Sequence, residues 1–157
     1  MSHQAGGSSP PLLDAATRER EYSPSSAIGG NYAPYVAQYV EQSARAFATV
    51  PVTRDLRYGD AARATLDYFP APSSVTRPGL LVYIHGGYWQ ELSKTESAFL
   101  APAWHAAGLA HAVVGYTLAP EARLSEIVDE CRQALSFLHA RADTLGFDAS
   151  HIVIAGS

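Results

Sequence analysis

Three short, largely unbroken apolar stretches limit the folds open to this chain of 157 residues. They lie at residues 80–84, 110–115 and 152–155. Strands with one exposed face alternate apolar and polar residues, whereas strands covered on both faces read as continuous apolar runs. Covered strands of this kind are typical of a parallel sheet with helices on both sides. The three stretches therefore predict parallel strands inside an α/β fold.

The segments around these stretches complete the pattern. Residues 52–58 and 64–69 alternate in polarity, which predicts an antiparallel pair of strands ahead of the first apolar stretch. Helical spacing predicts one helix within residues 95–107 and another that starts at Leu124 and ends before Gly146. We therefore expect a mostly parallel sheet with antiparallel N-terminal edge strands and flanking helices.

The N-terminal part is expected to be a flexible lead-in covering residues 1–30, with residues 1–11, rich in Gly, Ser and Pro, disordered. An amphipathic helix is predicted over residues 32–47, with Asn31 as its N-cap. We interpret its aromatic stripe as core packing. Residues 31–157 are expected to be the N-terminal part of a single domain.

Composition excludes several classes of partner. The chain carries a net charge of −4, with ten arginines and one lysine, so it offers no basic stripe to nucleic acid or an anionic membrane. No secretion signal and no transmembrane stretch is recognisable, and a cytoplasmic protein is expected. The single cysteine, Cys131, lies on the stripe of the second predicted helix and is interpreted as inert core. No metal-ligand or phosphate-loop spacing occurs, so no cofactor is expected.

The sequence His85-Gly86-Gly87-Tyr88-Trp89 follows directly after the first apolar stretch. Where a chain leaves a sheet, adjacent glycines let the backbone approach a ligand and turn its N–H groups into a cleft. Such donors stabilise the negative oxygen of a tetrahedral acyl-transfer intermediate, each by roughly 3–4 kcal/mol. A plain glycine turn would need neither the preceding histidine nor the two aromatic residues. We therefore interpret this segment as an oxyanion hole.

With this motif the chain resembles the α/β-hydrolase fold, in its hormone-sensitive-lipase-like and arylformamidase (kynurenine formamidase) branches. The formamidase branch reads His-Gly-Gly-x-Trp, as residues 85–89 do, whereas lipase-like members usually read His-Gly-Gly-Gly. Residues 116–121 are similar to the segment after the fourth strand of both groups, and residues 21–25 to a segment near the start of formamidases. The resemblance implies a cofactor-independent serine hydrolase.

The resemblance also implies roles for the motif residues. Gly86, Gly87 and Tyr88 would contribute backbone donors to the oxyanion hole, and His85 would brace the loop without carrying a proton. Tyr88 and Trp89 would either line the acyl or aryl pocket or, alternatively, pack against the loop. Both interpretations stay open.

The final stretch leads into Gly156-Ser157, which resembles the opening of a Gly-x-Ser-x-Gly nucleophile elbow. With Gly156 as the first glycine, the nucleophile is expected immediately after Ser157. A rival register makes Ser157 itself the nucleophile, with Ala155 in the first glycine position. In this fold the acid and the histidine follow the serine in sequence. None of the six histidines is therefore expected to be the general base, and we expect an incomplete hydrolase domain whose C-terminal remainder is its partner.

The expected activity is removal of an acyl group, in particular formyl, from an aryl amide through an acyl-enzyme. A carboxylesterase acting on small acyl esters is the alternative. A further alternative is an inactive fragment or a non-catalytic binding module. The expected partner is a small-molecule ester or amide, and a homodimer stays open.

Overall fold

The structure, a computed structural model, describes residues 13–157. The chain divides into two compact units, residues 1–35 and residues 36–157. The second unit contains the five-stranded sheet. The disorder expected for residues 1–11 falls outside the described residues. Within the described part, no helix combines the length and the apolar character needed to cross a membrane.

The first unit contains a helix that was not predicted. Helix α1 spans Ala15–Tyr22 and is followed by a 3-10 helix, Pro24–Ile28, both inside the expected lead-in of residues 1–30. The Asp14 side chain caps α1 by accepting the N–H of Thr17 at 2.9 Å. None of its residues is buried, so the sequence holds no apolar stripe from which to detect it. Its N-cap aspartate was the available signal.

Helix α2 spans Ala33–Thr49 and crosses from the first unit into the second. As predicted, Asn31 lies at its start, where its side-chain oxygen accepts the N–H of Ala33 at 3.3 Å. The buried residues of α2 are small, Ser43 and Ala46. The large residues of the predicted stripe are instead largely exposed: Tyr32, Tyr35, Tyr39 and Val40. Phe47 of the same stripe nevertheless packs against the core beside Phe69, and Tyr39 stacks on Phe99 at 4.7 Å. Core packing is therefore confirmed for these two residues and is wrong for Val40, which is 49% exposed.

The second unit is built on one mixed sheet. Its strands are β1 (Thr53–Arg57), β2 (Thr65–Phe69), β3 (Leu80–Ile84), β4 (Ala110–Val114) and β5 (Ile152–Gly156). Their order is β1-β2-β4-β3-β5. Strand β2 pairs antiparallel with β1 and β4, whereas β3 pairs parallel with β4 and β5. The predicted antiparallel start and parallel continuation are both confirmed.

Helices follow β3 and β4, as predicted. They are a 3-10 helix (Thr95–Leu100), α3 (Ala101–Ala106), α4 (Leu124–Ala140) and α5 (Ala142–Leu145). Pro102 lies in the first turn of α3, where its missing N–H costs nothing. Gly108 follows α3 at φ 78° and Gly146 caps α5 at φ 81°, in the left-handed region that glycine adopts without strain.

Both faces of the sheet carry a core. Successive residues of β3 point to opposite faces. Val82 packs in the cluster that contains Leu138 of α4, and Tyr83 packs in the cluster that contains Ala46 of α2 and Ala101 of α3. The arrangement is three layers with the sheet in the middle, which leaves the carboxyl ends of the parallel strands as a separate edge.

Two apolar segments are less covered than expected. On α4, Leu124 and Val128 belong to the predicted stripe but are 53% and 46% exposed. On β5, Val153 and Ile154 are 61% and 54% exposed. Strand β5 lies at the edge of the sheet beside β3, so within the described chain it is not covered on both faces as β3 is.

His111 on β4 gives the fold a predicted pH dependence. It is 1% exposed, stacks on Phe69, and its Nδ1 lies 3.1 Å from the carbonyl oxygen of Leu81. Burial lowers the pKa of His111 from 6.5 to about 4. The unfolded chain therefore binds more protons than the folded chain between these values. Stability falls as the pH falls through this window, by up to about 3 kcal/mol.

We expect His111→Leu to reduce this acid-induced loss of stability, because leucine cannot take up the proton. The measurement is urea unfolding of both proteins at about pH 7 and about pH 4.5. An equal loss of unfolding free energy in the two proteins would show that His111 does not cause it.

Candidate active site

The carboxyl ends of the parallel strands bring the two motif segments together. Ile84 of β3 pairs with Val114 of β4 and with Gly156 of β5. The residues after β3 and β5 therefore leave the sheet side by side, with His85 beginning one loop and Ser157 following the other strand. In open α/β sheets, ligands bind outside the carboxyl ends of the strands. This edge is therefore the candidate site.

Gly86 lies in direct contact with Ser157. A Cβ atom added to Gly86 would lie 2.6 Å from the carbonyl oxygen of Ser157 and 2.8 Å from its Oγ. Both distances are shorter than real Cβ atoms tolerate, so residue 86 must be glycine for the two segments to approach this closely. The structure thus places the glycine loop in contact with the Gly156-Ser157 segment.

The loop after β3 is a tight left-handed turn. Gly87, Tyr88 and Trp89 have φ of 104°, 52° and 61°, a run that only glycine adopts without strain. The carbonyl oxygen of Gly87 accepts the N–H groups of Gln90 and Glu91 at 3.0 and 2.9 Å. A Cβ atom on Gly87 would collide with the carbonyl oxygen of Glu91. Both glycines of the motif are therefore required by geometry.

His85 braces the start of this loop. Its ring is 3% exposed and stacks on the ring of Tyr116 at 4.1 Å and 7°. The Tyr116 hydroxyl donates to the carbonyl oxygen of His85 at 2.7 Å, and the His85 Nδ1 lies 2.8 Å from the carbonyl oxygen of Gly86. Burial is the main cause that lowers the pKa of His85, which favours a neutral ring. These contacts fit the predicted structural role, and Tyr116 is a partner that the sequence analysis did not identify.

A second contact ties the middle of the loop to the segment after β4. The N–H of Ala119 donates to the carbonyl oxygen of Trp89 at 2.8 Å. That segment is held in turn by Glu130 of α4, whose carboxylate accepts the N–H of Thr117 at 2.7 Å. The segment after β4 thus connects the loop to helix α4.

Ser157 is held from the opposite side by Tyr83. The Tyr83 hydroxyl donates to the Oγ of Ser157 at 2.9 Å. Tyr83 was missed as a site residue because it lies inside an apolar stretch and was counted with the core. Its alternation with Val82 within β3 was a signal that its ring points to the other face.

Tyr88 and Trp89 do not pack into the loop. Tyr88 is 61% exposed and Trp89 45% exposed, and their ring centroids lie 5.5 Å apart. Both rings are therefore accessible at the edge of the candidate site.

Other histidine and cysteine side chains have structural surroundings that account for them. The Nδ1 atom of His105 lies 3.0 Å from the carbonyl oxygen of Pro70, and that of His151 lies 2.9 Å from Asp148. Burial raises the pKa of the Cys131 thiol to about 11, which makes it a poor nucleophile.

Residues 66–157 match the BD-FAE family. A kynurenine formamidase from Danio rerio is 40% identical over 92 residues, which are 58% of this chain and 31% of that protein. A kynurenine formamidase from Salmo salar is 32% identical over 123 residues, which are 74% of this chain and 42% of that protein. The chain therefore spans less than half the length of these curated relatives.

The fold has a counterpart among solved structures. The crystal structure of a candidate thioesterase from Silicibacter sp. tm1040 is similar with a TM-score of 0.76 and 30% identity. The likeness covers 88% of this chain and 50% of that chain. It confirms the predicted fold class.

Proposed function

The chain belongs to the BD-FAE family and has the α/β-hydrolase fold, and on this premise we propose that its protein is a serine hydrolase acting on acylated aryl amines. The expected reaction is the removal of a formyl group from an aryl amide such as N-formylkynurenine. The kynurenine formamidase relatives support this substrate class, as does the His-Gly-Gly-x-Trp form of residues 85–89.

The observation that carries the proposal is the contact between Gly86 and Ser157. A Cβ atom on Gly86 would lie 2.6 Å from the Ser157 carbonyl oxygen. Acyl transfer needs oxyanion donors and a nucleophile on either side of one carbonyl carbon, each within about 3 Å of the reacting atoms. The contact between the glycine loop and the segment that resembles a nucleophile elbow supports the proposal, because it brings the two segments that would supply these groups to one edge of the sheet.

In the proposed mechanism, backbone N–H groups of Gly86, Gly87 and Tyr88 donate to the oxygen that becomes negative in the tetrahedral intermediate. His85 does not take part in proton transfer, because it is buried against Tyr116 and its pKa is lowered. It keeps the first peptide of the loop in place, so that the donors need no reorganisation during the reaction.

The proposed nucleophile is the serine that the elbow motif requires immediately after Ser157. The Ser157 hydroxyl accepts a hydrogen bond from Tyr83, which suits the variable position of the motif. In the rival register Ser157 is the nucleophile, and its own O–H would have to donate to a general base while its Oγ accepts the hydrogen bond from Tyr83. A serine activated by histidine attacks the carbonyl carbon, the amine leaves with a proton, and water hydrolyses the acyl-enzyme.

Tyr88 and Trp89 are proposed to contact the aryl group of the substrate. They are the exposed aromatic residues of the loop. Tyr88 contributes the third proposed oxyanion donor through its backbone, and Trp89 follows it directly. An aromatic ring stacked on them would present its acylated nitrogen to the Gly86-Gly87 backbone.

The test compares two substrates with the purified protein that carries this chain. We expect turnover of N-formylkynurenine with a higher kcat/KM than for a small alkyl ester such as ethyl butyrate. Trp89→Leu should lower kcat/KM for the aryl formamide more than for the alkyl ester, because the alkyl ester has no aromatic ring to stack on Trp89. Turnover of the ester with none of the formamide would contradict the proposed substrate class.

A carboxylesterase is the second candidate function. The structural similarity to a candidate thioesterase at 30% identity favours it, because thioesters and esters share an acyl-enzyme route and a good leaving group. The same two-substrate assay separates the candidates. A protein that turns over neither substrate and binds an aryl ligand would instead fit a non-catalytic module.

A further inference from the structure

Lys94 is the single lysine of the chain, and it lies almost buried between two carboxylates. Its Nζ donates to Asp67 at 2.6 Å and to Asp55 at 2.7 Å. Asp67 on β2 is 0% exposed and Lys94 is 8% exposed. The N–H of Asp55 also donates to Asp67, at 2.9 Å, so the three residues form one connected cluster. The hydrogen bond from Lys94 holds the pKa of the Asp55 carboxyl below its usual value.

This cluster lies at the far end of the loop that begins with the His-Gly-Gly motif. Residues 86–93 connect β3 to Lys94. Four of the loop residues have positive φ, between 52° and 104°: Gly87, Tyr88, Trp89 and Leu92. Non-glycine backbone in this region is strained, and it persists where the surroundings fix the chain on both sides.

The loop is fixed at three points. At its start, the Tyr116 hydroxyl donates to the carbonyl oxygen of His85. In its middle, the N–H of Ala119 donates to the carbonyl oxygen of Trp89. At its end, the Nζ of Lys94 forms ion pairs with Asp55 of β1 and Asp67 of β2.

The location of the lysine stem links the cluster to the site. A Cβ atom on Gly115 would lie 3.3 Å from the Cδ of Lys94, so the stem passes close under the first residue after β4. Burying an ion pair costs desolvation, and an apolar pair in its place is often at least as stable. What the ion pair adds is a specific geometry for the backbone that carries it.

We propose that Lys94 is a positioning residue for the proposed hydrolysis, holding the loop of residues 86–93 against β2 so that its N–H groups stay aimed at the oxyanion. The inference rests on the oxyanion role proposed for this loop. In this role Lys94 touches no substrate and acts through the backbone that it anchors.

The test uses the single variant Lys94→Met and the double variant Lys94→Met with Asp67→Asn, in the protein that carries this chain. The single variant leaves the buried Asp67 carboxylate with only the N–H of Asp55 and a 3.8 Å contact to the half-exposed Arg54, so its Tm should fall by about 10 °C or more. The double variant removes both buried charges, and its Tm should return toward that of the unchanged protein. If Lys94→Met does not fold, the double variant carries the test.

Measurements of kcat and of amide hydrogen exchange distinguish a positioning role of Lys94 from an effect on stability alone. In the folded variants, kcat for the aryl formamide should fall about 10- to 100-fold with KM changed less than about threefold. Amide hydrogen exchange over residues 86–93 should be at least about tenfold faster in the double variant, with exchange in β2 and β3 unchanged. Arg132→Met, which breaks the exposed 3.1 Å ion pair with Asp129, is the matched control and should alter neither readout.

Recovery of kcat together with Tm in the double variant would overturn the proposal, since the lysine would then act on stability alone. Unchanged exchange over residues 86–93 would overturn it equally. Should the unchanged protein turn over neither formamide nor ester, the proposed function fails. The exchange measurement still decides whether Lys94 positions the loop.

Discussion

Replacing Gly86 by alanine is expected to lower kcat about 100- to 1,000-fold with little change in KM. The added Cβ atom would lie 2.6 Å from the carbonyl oxygen of Ser157 and 2.8 Å from its Oγ. Either the loop or the end of β5 must then move, and a shift of about 1 Å at the reacting centre costs about 100-fold in rate. Because the oxyanion donors act mainly in the transition state, kcat takes most of the loss.

Steady-state kinetics on the aryl formamide measures this effect, with Gly59→Ala as the matched control. Gly59 lies between β1 and β2 and also has an ordinary φ, and the nearest atom to its added Cβ is the movable Oε1 of Gln133 at 3.0 Å. We expect Gly59→Ala to keep kcat within about threefold of the unchanged protein. A Gly86→Ala protein as active as the Gly59→Ala control would refute the close approach of the two segments.

Replacing Asp67 by alanine is expected to destabilise the fold by about 3–5 kcal/mol. The change leaves the Lys94 ammonium without its buried partner and removes the acceptor for the N–H of Asp55. The remaining contact of Lys94 to Asp55 lies toward solvent, since the Asp55 side chain is 67% exposed, so it compensates poorly. Urea unfolding gives the change in free energy directly.

Asp129→Ala is the control for this prediction. Its carboxylate pairs with Arg132 at 3.1 Å, but both side chains are more than 60% exposed. The loss of such a pair should change the unfolding free energy by no more than about 1 kcal/mol. Equal effects of the two aspartate variants would mean that burial of Asp67 does not determine its contribution.

Patterns that depend on burial along one element could be read from the sequence. The stretch at residues 80–84 became β3 and the segment from Leu124 became α4, because both pack on the core with the period of their element. Helix α1 could not be found in this way, since no residue of it is buried. Val40 of α2 shows the converse, because it belongs to an apolar stripe whose Phe47 packs on the core and yet it is 49% exposed.

Contacts between distant residues were beyond the sequence. Lys94 pairs with carboxylates 27 and 39 residues away, and no local pattern encodes such a pairing. The hydroxyls of Tyr83 and Tyr116 reach Ser157 and His85 for the same reason, through strands that become neighbours in the folded sheet. The motif itself was recognisable because its glycines meet a backbone requirement within five residues. The contacts that hold the motif in place could not be predicted from the sequence.

Labelling by a fluorophosphonate, followed by mass spectrometry of the modified peptide, tests most directly whether the carboxyl ends of β3 and β5 form a serine hydrolase site. We expect one labelled serine, the residue that follows Ser157, both in the wild-type protein and in Ser157→Ala. We also expect much slower labelling in Gly86→Ala, because the reagent uses the same oxyanion donors. A label on Ser157 would select the rival register at the same site. No label, or a label on a serine outside the Gly156-Ser157 segment and the residue after it, would show that this edge of the sheet is not a serine hydrolase site.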